Sequence, residues 1–248
     1  MTTQLHLPGL PPDLPTVDTP DLKLTRLMLR DAVRCHSPML LTGPVGIGKT
    51  FAVHTALTDA GHDYVTYKAD SLPRGRTLSQ ELLTLLGMPW SKRDTAADLR
   101  RLLIARCTTP TIVLVDEAQN LGVEALRTLR NVSDHHDTNV TLLLVGYNEL
   151  AKNLRKREPA LEDRLARRHQ FRGLEDDTLI DVLAAYHPMF ANTPPATLHT
   201  INRTFGTAKR GSWRRWARVL EIALAYADTD NDADRITPTL LDVIESLL

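Results

Sequence analysis

Leu40-Leu41-Thr42-Gly43-Pro44-Val45-Gly46-Ile47-Gly48-Lys49-Thr50 is the stretch that decides how the rest of the chain is read. A short apolar run gives way to a glycine-rich turn, and the turn gives way to helix-forming residues. The spacing from Gly43 to Gly48, Lys49 and Thr50 is that of a phosphate-binding loop. Glycines let the backbone curl until successive N–H groups point inward at phosphate oxygens. The positive end of the helix that follows adds to that field. Lys49 reaches β- and γ-phosphates as a point charge, and the Thr50 hydroxyl is a ligand for Mg²⁺. Pro44, Val45, Ile47 and Phe51 complete the expected cradle. The stretch predicts a strand, a nucleoside triphosphate loop and a helix in immediate succession.

Working outward, strands and helices alternate. A helix is expected from Thr19-Pro20-Asp21, an N-cap followed by proline and an early acid, to about His36. A second helix runs from Lys49 to about Asp59, with Gly61 placed to end it. Asp63–Lys68 reads as a strand, and Ser71–Arg76 as a loop with two arginines. Helices follow over Thr77–Leu86 and 95–106. Thr111-Ile-Val-Leu-Val115 and Val140-Thr-Leu-Leu-Leu-Val145 are near-continuous apolar runs, the signature of strands buried on both faces, with a helix over 122–135 between them. Gln170-Phe171 is a candidate last strand. This alternation predicts an α/β fold with a central parallel five-stranded sheet between layers of helices.

After Gly173 only helical signals remain, over 176–187, 195–205, 212–227 and 239–247. The expected division is therefore a proline-rich tail over 1–18, a nucleotide-binding domain over 19–173 and a small all-α lid over 174–248. Asp228–Asp234 reads as a solvated acidic loop, since it lacks the glycine and distal glutamate of a calcium loop.

Composition narrows the function. The chain has 248 residues, is 42% hydrophobic, and carries 30 basic and 30 acidic residues. A net charge of zero means that a nucleic-acid partner must meet a local basic patch. Cys35 and Cys107 have no metal or redox spacing and are expected to be buried thiols in a reducing compartment. No apolar stretch approaches the roughly 20 residues of a membrane-spanning helix. No signal peptide is evident, so the expected location is cytoplasmic.

The second chemical signature is Val113-Leu-Val-Asp116-Glu117. An apolar strand delivers two carboxylates to its carboxyl end, the edge at which ligands bind in doubly wound sheets. Asp116 is placed to hold Mg²⁺. Glu117, not needed on the metal, is placed to polarise the attacking water.

The phosphate loop, the Asp116-Glu117-Ala118-Gln119 strand end and the helical lid together resemble the AAA+ ATPases. Three passages are similar to the TnsC, MuB and TniB type of ATP-dependent transposition regulators: Val115-Asp-Glu-Ala-Gln-Asn-Leu121, Leu143-Leu-Val-Gly-Tyr-Asn-Glu-Leu150 and Leu161–Phe171. The resemblance implies a P-loop AAA+ fold, ATP and Mg²⁺ as ligands, assembly of several copies on DNA with a transposase or other mobile-element protein as partner, and ATP hydrolysis that disassembles the polymer. The alternative readings are a helicase-loading or initiator-type ATPase and a nucleotide-gated scaffold in secretion or defence, whose members share similar passages. It also implies further site residues. Asn148 would sense the γ-phosphate, with Tyr147 as its neighbour in an open register, and Asn148 equally suits a helix N-cap. Arg164 would reach a neighbouring subunit's nucleotide, with Arg167 and Arg168 as rivals. Gly211-Ser-Trp-Arg214 has the Gly-x-x-Arg form through which a lid arginine reads phosphate, with Arg215 and Arg218 close by.

In the resembled family nucleic acid is gripped along its backbone by residues after the second strand and before the third. Here those stretches supply Lys68, Arg74, Arg76, Lys92 and Arg93, with Thr77 and Thr95 as hydroxyl donors. Such side chains on loops suit sequence-independent phosphate contact. The additional domains of larger relatives have no counterpart in this sequence. Recruiting surfaces are therefore expected on the core, the tail or the last helix.

Overall fold

The computed structural model describes residues 16–69, 73–174, 176–206, 211–226 and 234–248. Residues 1–15 of the expected tail, residue 70, residues 71–72 of the arginine loop and 228–233 of the acidic loop lie outside the described residues. The described chain forms two compact units. One comprises the residues up to Lys23, the segment Pro44–Phe51 and Phe171–Leu248; the other comprises Leu24–Gly43 and Ala52–Gln170.

The second unit holds the sheet. Its strands are β1 (Met39–Thr42), β2 (Val65–Lys68), β3 (Thr111–Asp116), β4 (Val140–Gly146) and β5 (Arg167–Gln170). All pair in parallel, in the order β2-β3-β4-β1-β5, so their carboxyl ends share one edge. Every residue of β1 and β4 is buried, as their unbroken apolar runs predict. Helices surround the sheet: α1 (Pro20–Arg34), α2 (Lys49–Asp59), α3 (Gly75–Leu85), α4 (Ala96–Arg106), α5 (Val123–Ser133), α6 (Glu149–Arg157) and α7 (Pro159–Arg164). Leu78, Leu83, Leu99, Leu103, Leu144 and Leu154 join one core, each at most 1% exposed. Burying one such side chain stabilises by about 1.5–3 kcal/mol. The fold is the P-loop AAA+ fold expected from the sequence.

Several boundaries differ from expectation for identifiable reasons. The last strand is Arg167–Gln170, not Gln170-Phe171, and it carries two arginines. As an edge strand it alternates half-buried and exposed positions, and charge there discourages further strand addition. Helices α6 and α7 are additional to those expected. The sequence ELAKNLRKR is mostly polar, and of α6 only Leu150 and Leu154 are buried, with Ala151 half-buried against the same core. Cys35 is exposed rather than buried, just beyond the end of α1, whereas Cys107 is buried and its thiol is pushed up to about 11 by that burial.

The other unit is helical beyond the loop segment: α8 (Asp176–Tyr186), α9 (Pro188–Ala191), α10 (Pro195–Thr204), α11 (Trp213–Tyr226) and α12 (Pro238–Leu247). Trp216 is fully buried, with Phe190 and Phe205 edge-on at centroid distances of 5.5 and 5.3 Å. Val17 packs against this core. The cap-plus-proline starts are realised at both ends of the chain. Thr19 Oγ1 accepts from Leu22 N at 3.1 Å, and Thr237 Oγ1 accepts from Leu240 N at 3.2 Å.

Candidate nucleotide site

The loop begins one residue beyond β1. Gly46 and Gly48 have φ of +75° and +96°, values that L side chains adopt at a cost of about 1–2 kcal/mol. The curl is therefore encoded in the glycines. Lys49, the first residue of α2, is buried, and its Nζ donates to Pro44 O at 2.7 Å. The ammonium thus folds back over its own loop, satisfied by a carbonyl that a phosphate oxygen can replace. Lys49 and the glycine curl together fit a phosphate group, as the spacing predicts.

The start of α11 lies on this loop, within the same compact unit. The Gly46 carbonyl accepts from Arg214 N at 3.2 Å and from Ser212 Oγ at 3.3 Å. A Cβ on Gly46 would stand 2.7 Å from Ser212 Oγ and 3.8 Å from Arg214 Nε; one on Gly48 would stand 3.1 Å from the Trp213 ring. Close approach as well as φ therefore requires glycine here. Arg214 is exposed beside the loop, whereas Arg215 donates to Leu248 O at 3.0 Å and Arg218 pairs with Glu221 at 2.8 Å. Of the three lid arginines named from the sequence, Arg214 is the one whose side chain approaches the loop. Ser212 and Trp213 are the two unspecified positions of the Gly-x-x-Arg form, and their place inside Gly211–Arg214 is the one sequence signal for their contact with the loop.

At the end of β3, Asp116 Oδ1 accepts from Glu117 N at 2.9 Å. Glu117 is half-buried and left-handed, with φ +53° and ψ +36°, a sparsely populated region for a residue with a Cβ. A short 3₁₀ turn, Ala118–Asn120, follows. Half-buried His54 of α2 shares a 2.6 Å hydrogen bond with the Tyr64 hydroxyl. Burial holds its imidazole below the usual histidine range, and the Asp116 charge works against that shift. Nothing in its sequence surroundings marks it.

Asn148 occupies the cap position of α6, yet its side chain makes no capping bond. Its Oδ1 accepts from Gln170 Nε2 at 3.3 Å, which ties the end of β4 to β5. Arg164, at the end of α7, pairs with Asp134 and donates to Ala160 O at 3.1 Å. Its two rivals are committed within the fold. Arg167 grips Asp31 at 2.6 Å, and Arg168 grips Glu162 by both its carboxylate and its carbonyl oxygen.

The expected nucleic-acid residues divide. Lys68 is the last residue of β2, in register with Asp116, and so belongs to a strand rather than a loop. Arg74, Arg76, Lys92 and Arg93 are all exposed. Arg76 Nη2 donates to Lys92 O at 2.8 Å, joining the two basic stretches. Thr77 is exposed in the first turn of α3. The Thr95 hydroxyl is instead engaged in a capping box, donating to Asp98 Oδ2 at 2.6 Å and accepting from Asp98 N at 3.2 Å.

These features define a P-loop AAA+ fold with its glycine loop, its paired acids at the end of β3 and a helical region after the sheet. Residues 34–154 match the family model described as AAA domain. Among solved structures, the chain is similar to the Aeropyrum pernix ORC2 protein in ADPNP–ADP complexes, with a TM-score of 0.69 at 20% identity. That likeness covers 91% of this chain and 66% of ORC2. Cdc6p from Pyrobaculum aerophilum has a TM-score of 0.72 at 19% identity, over 94% and 68% of the two chains. The Aeropyrum pernix ORC1 protein in complex with DNA has a TM-score of 0.66 at 15% identity, over 94% and 66%. No curated protein matches the sequence. Among the described residues no helix is long and apolar enough to cross a membrane.

Proposed function

We propose that this protein is an ATP-hydrolysing AAA+ switch that assembles on DNA. One observation carries the reading. The glycine loop leaves β1, and the Asp116–Glu117 pair ends β3, at the same edge of a wholly parallel sheet. Gly43–Thr50 would cradle the triphosphate, with Phe51 beginning the helix behind it. Lys49 would exchange Pro44 O for a phosphate oxygen. Thr50 and Asp116 would hold Mg²⁺, which neutralises phosphate charge when bound. Glu117 would take the proton of the attacking water. Arg214 would couple nucleotide state to the lid through its place beside the loop. Asn148 or Tyr147 would report on the γ-phosphate from the end of β4. Arg164 would complete the site of a neighbouring copy.

The DNA reading rests on the four exposed cations joined through Arg76 and Lys92, and on likeness to a protein solved with DNA. The three passages similar to transposition regulators favour a role in target-DNA selection with a transposase as partner. A second reading, an initiator-type or helicase-loading ATPase, is favoured by the likeness to ORC and Cdc6 proteins over nearly the whole chain.

The deciding experiment measures ATP binding, ATP turnover and duplex retention together. Lys49→Ala should lose nucleotide binding. Glu117→Gln should bind ATP, cease turnover and persist on duplex DNA. Parental turnover by Glu117→Gln would remove the assignment of Glu117 as base. A pull-down that returns a transposase, or a replicative helicase, separates the two readings.

A further inference from the structure

We propose that Gln119 is a positioning residue that holds the Glu117 carboxylate and links it to the end of β4. The proposal rests on the reading of Glu117 as the base. Gln119 Nε2 donates to Glu117 Oε2 at 2.6 Å, and Gln119 Oε1 accepts from Tyr147 N at 3.1 Å. The two partners fix the amide's orientation, because a carboxylate needs a donor and a backbone N–H needs an acceptor. Reversing the amide would oppose oxygen to oxygen on one side and N–H to N–H on the other.

The surrounding backbone is built around this bridge. β4 ends in Gly146, and a Cβ there would stand 2.4 Å from Gln119 Oε1 and 3.4 Å from Gln119 N. A side chain at 146 would displace the amide. On the other flank, Asn120 Nδ2 donates to Ala69 O at 2.7 Å, directly after β2. The turn behind the two acids is thus strapped to the strands on either side of β3. Glu117, held at a left-handed φ, gains rigidity from both straps.

The consequences are chemical. The amide occupies Oε2 and fixes the carboxylate's rotation, so Oε1 is the oxygen left to take the proton of water. Tyr147 N lies between Gly146 and Asn148, in the segment expected to sense the γ-phosphate. A shift of that segment loosens or tightens one hydrogen bond to Gln119, and through the same amide it re-aims Glu117. Nucleotide state at the end of β4 is thereby converted into the orientation of the base.

The test is steady-state turnover of the full chain at saturating Mg–ATP, with ATP binding measured in parallel. Gln119→Ala should lower kcat about tenfold to a hundredfold with KM within about twofold, the pattern of a misplaced base and not of a damaged site. Gln119→Asn, one carbon too short to span both partners, should behave like Gln119→Ala. Gln119→Glu keeps the shape but sets a second carboxylate against Glu117, beside Asp116. Its kcat should peak at lower pH than the parent's, where the shared proton sits on residue 119 and restores the donor. If Glu117→Gln is inactive while Gln119→Ala and Gln119→Asn stay within twofold of the parent, the positioning role falls alone. Unchanged pH profiles in Gln119→Glu would overturn it equally. Parental turnover by Glu117→Gln would remove the base reading and this proposal with it.

Discussion

Arg164 is paired with Asp134: the guanidinium at the end of α7 meets the carboxylate that closes α5, and a second nitrogen donates to Ala160 O at 3.1 Å. Within one copy of the chain, the arginine proposed to serve a neighbour is therefore already held. The side chain is about half exposed, so exchange of partners is sterically open. Arg164→Ala should bind ATP normally and lose DNA-dependent turnover. Lys49→Ala should lose turnover for a different reason, an empty loop. Mixing the two variants brings an intact Arg164 beside an intact loop and should restore part of the activity. No recovery on mixing would contradict a site shared between copies.

Glu158 is the chain's most enclosed acid–base junction among the described residues. Its side chain is 5% exposed between α6 and α7 and receives Arg127 at 3.2 Å and Arg130 at 2.5 Å. Removing one partner of a buried pair costs about 3–5 kcal/mol because the remaining charge is left unmatched. Arg127 is largely exposed and can be rehydrated, so Glu158→Ala should cost about 2–3 kcal/mol. For a chain of this size that lowers Tm by about 5–10 °C in a thermal melt. A loss below 2 °C would show that the junction is solvated in solution.

Much of this architecture is legible in the sequence because apolar runs and glycine spacing act locally. β4 is announced by six consecutive apolar or β-branched residues, and the loop by four fixed positions, Gly43, Gly48, Lys49 and Thr50. The rest depends on long-range pairing. Arg167 and Arg168 read as rivals of Arg164 for a neighbour's nucleotide, yet the fold commits them to Asp31 and Glu162, 136 and 6 residues away, and sets them in a strand. Thr95 reads as a phosphate donor, but Asp98 three residues on turns it into a helix cap. Gln119 is visible in the quoted passage, while its bond to Tyr147, 28 residues later, is not.

The same arginines predict a pH dependence. Arg167, with Arg34, holds the Asp31 carboxyl below its usual range, and Arg168, with Arg155, does so for Glu162. A carboxylate whose folded value is depressed adds stability above its unfolded pKa, about 4. That contribution is lost as pH falls through the folded value. Arg167→Ala should therefore lower stability clearly at pH 6 and less at pH 3, below the unfolded carboxyl's pKa, where the contribution is already being lost. The bond from Arg167 to the Ser37 hydroxyl keeps the difference above zero. Urea unfolding at the two pH values measures it, and a pH-independent difference would exclude the ion pair as its source.

Arg74, Arg76, Lys92 and Arg93 offer the sharpest test of the DNA reading, because phosphate contacts have a thermodynamic signature of their own. Each contact releases condensed counterions, so the slope of log K against log salt changes by about 0.9 per duplex phosphate neutralised. Combined replacement of Arg74, Arg76 and Lys92 by alanine should flatten that slope by about 2–3 and weaken ATP-dependent duplex binding irrespective of base sequence. Arg76 carries two roles, since its fork also fixes the Lys92 carbonyl at 2.8 Å. Arg76→Lys keeps the charge and loses that fork. It should therefore preserve most of the slope while weakening binding, whereas Arg76→Ala should lose both. Unchanged slope in the triple variant would place DNA elsewhere on the protein. Unchanged slope and affinity would remove duplex DNA as the partner of this surface.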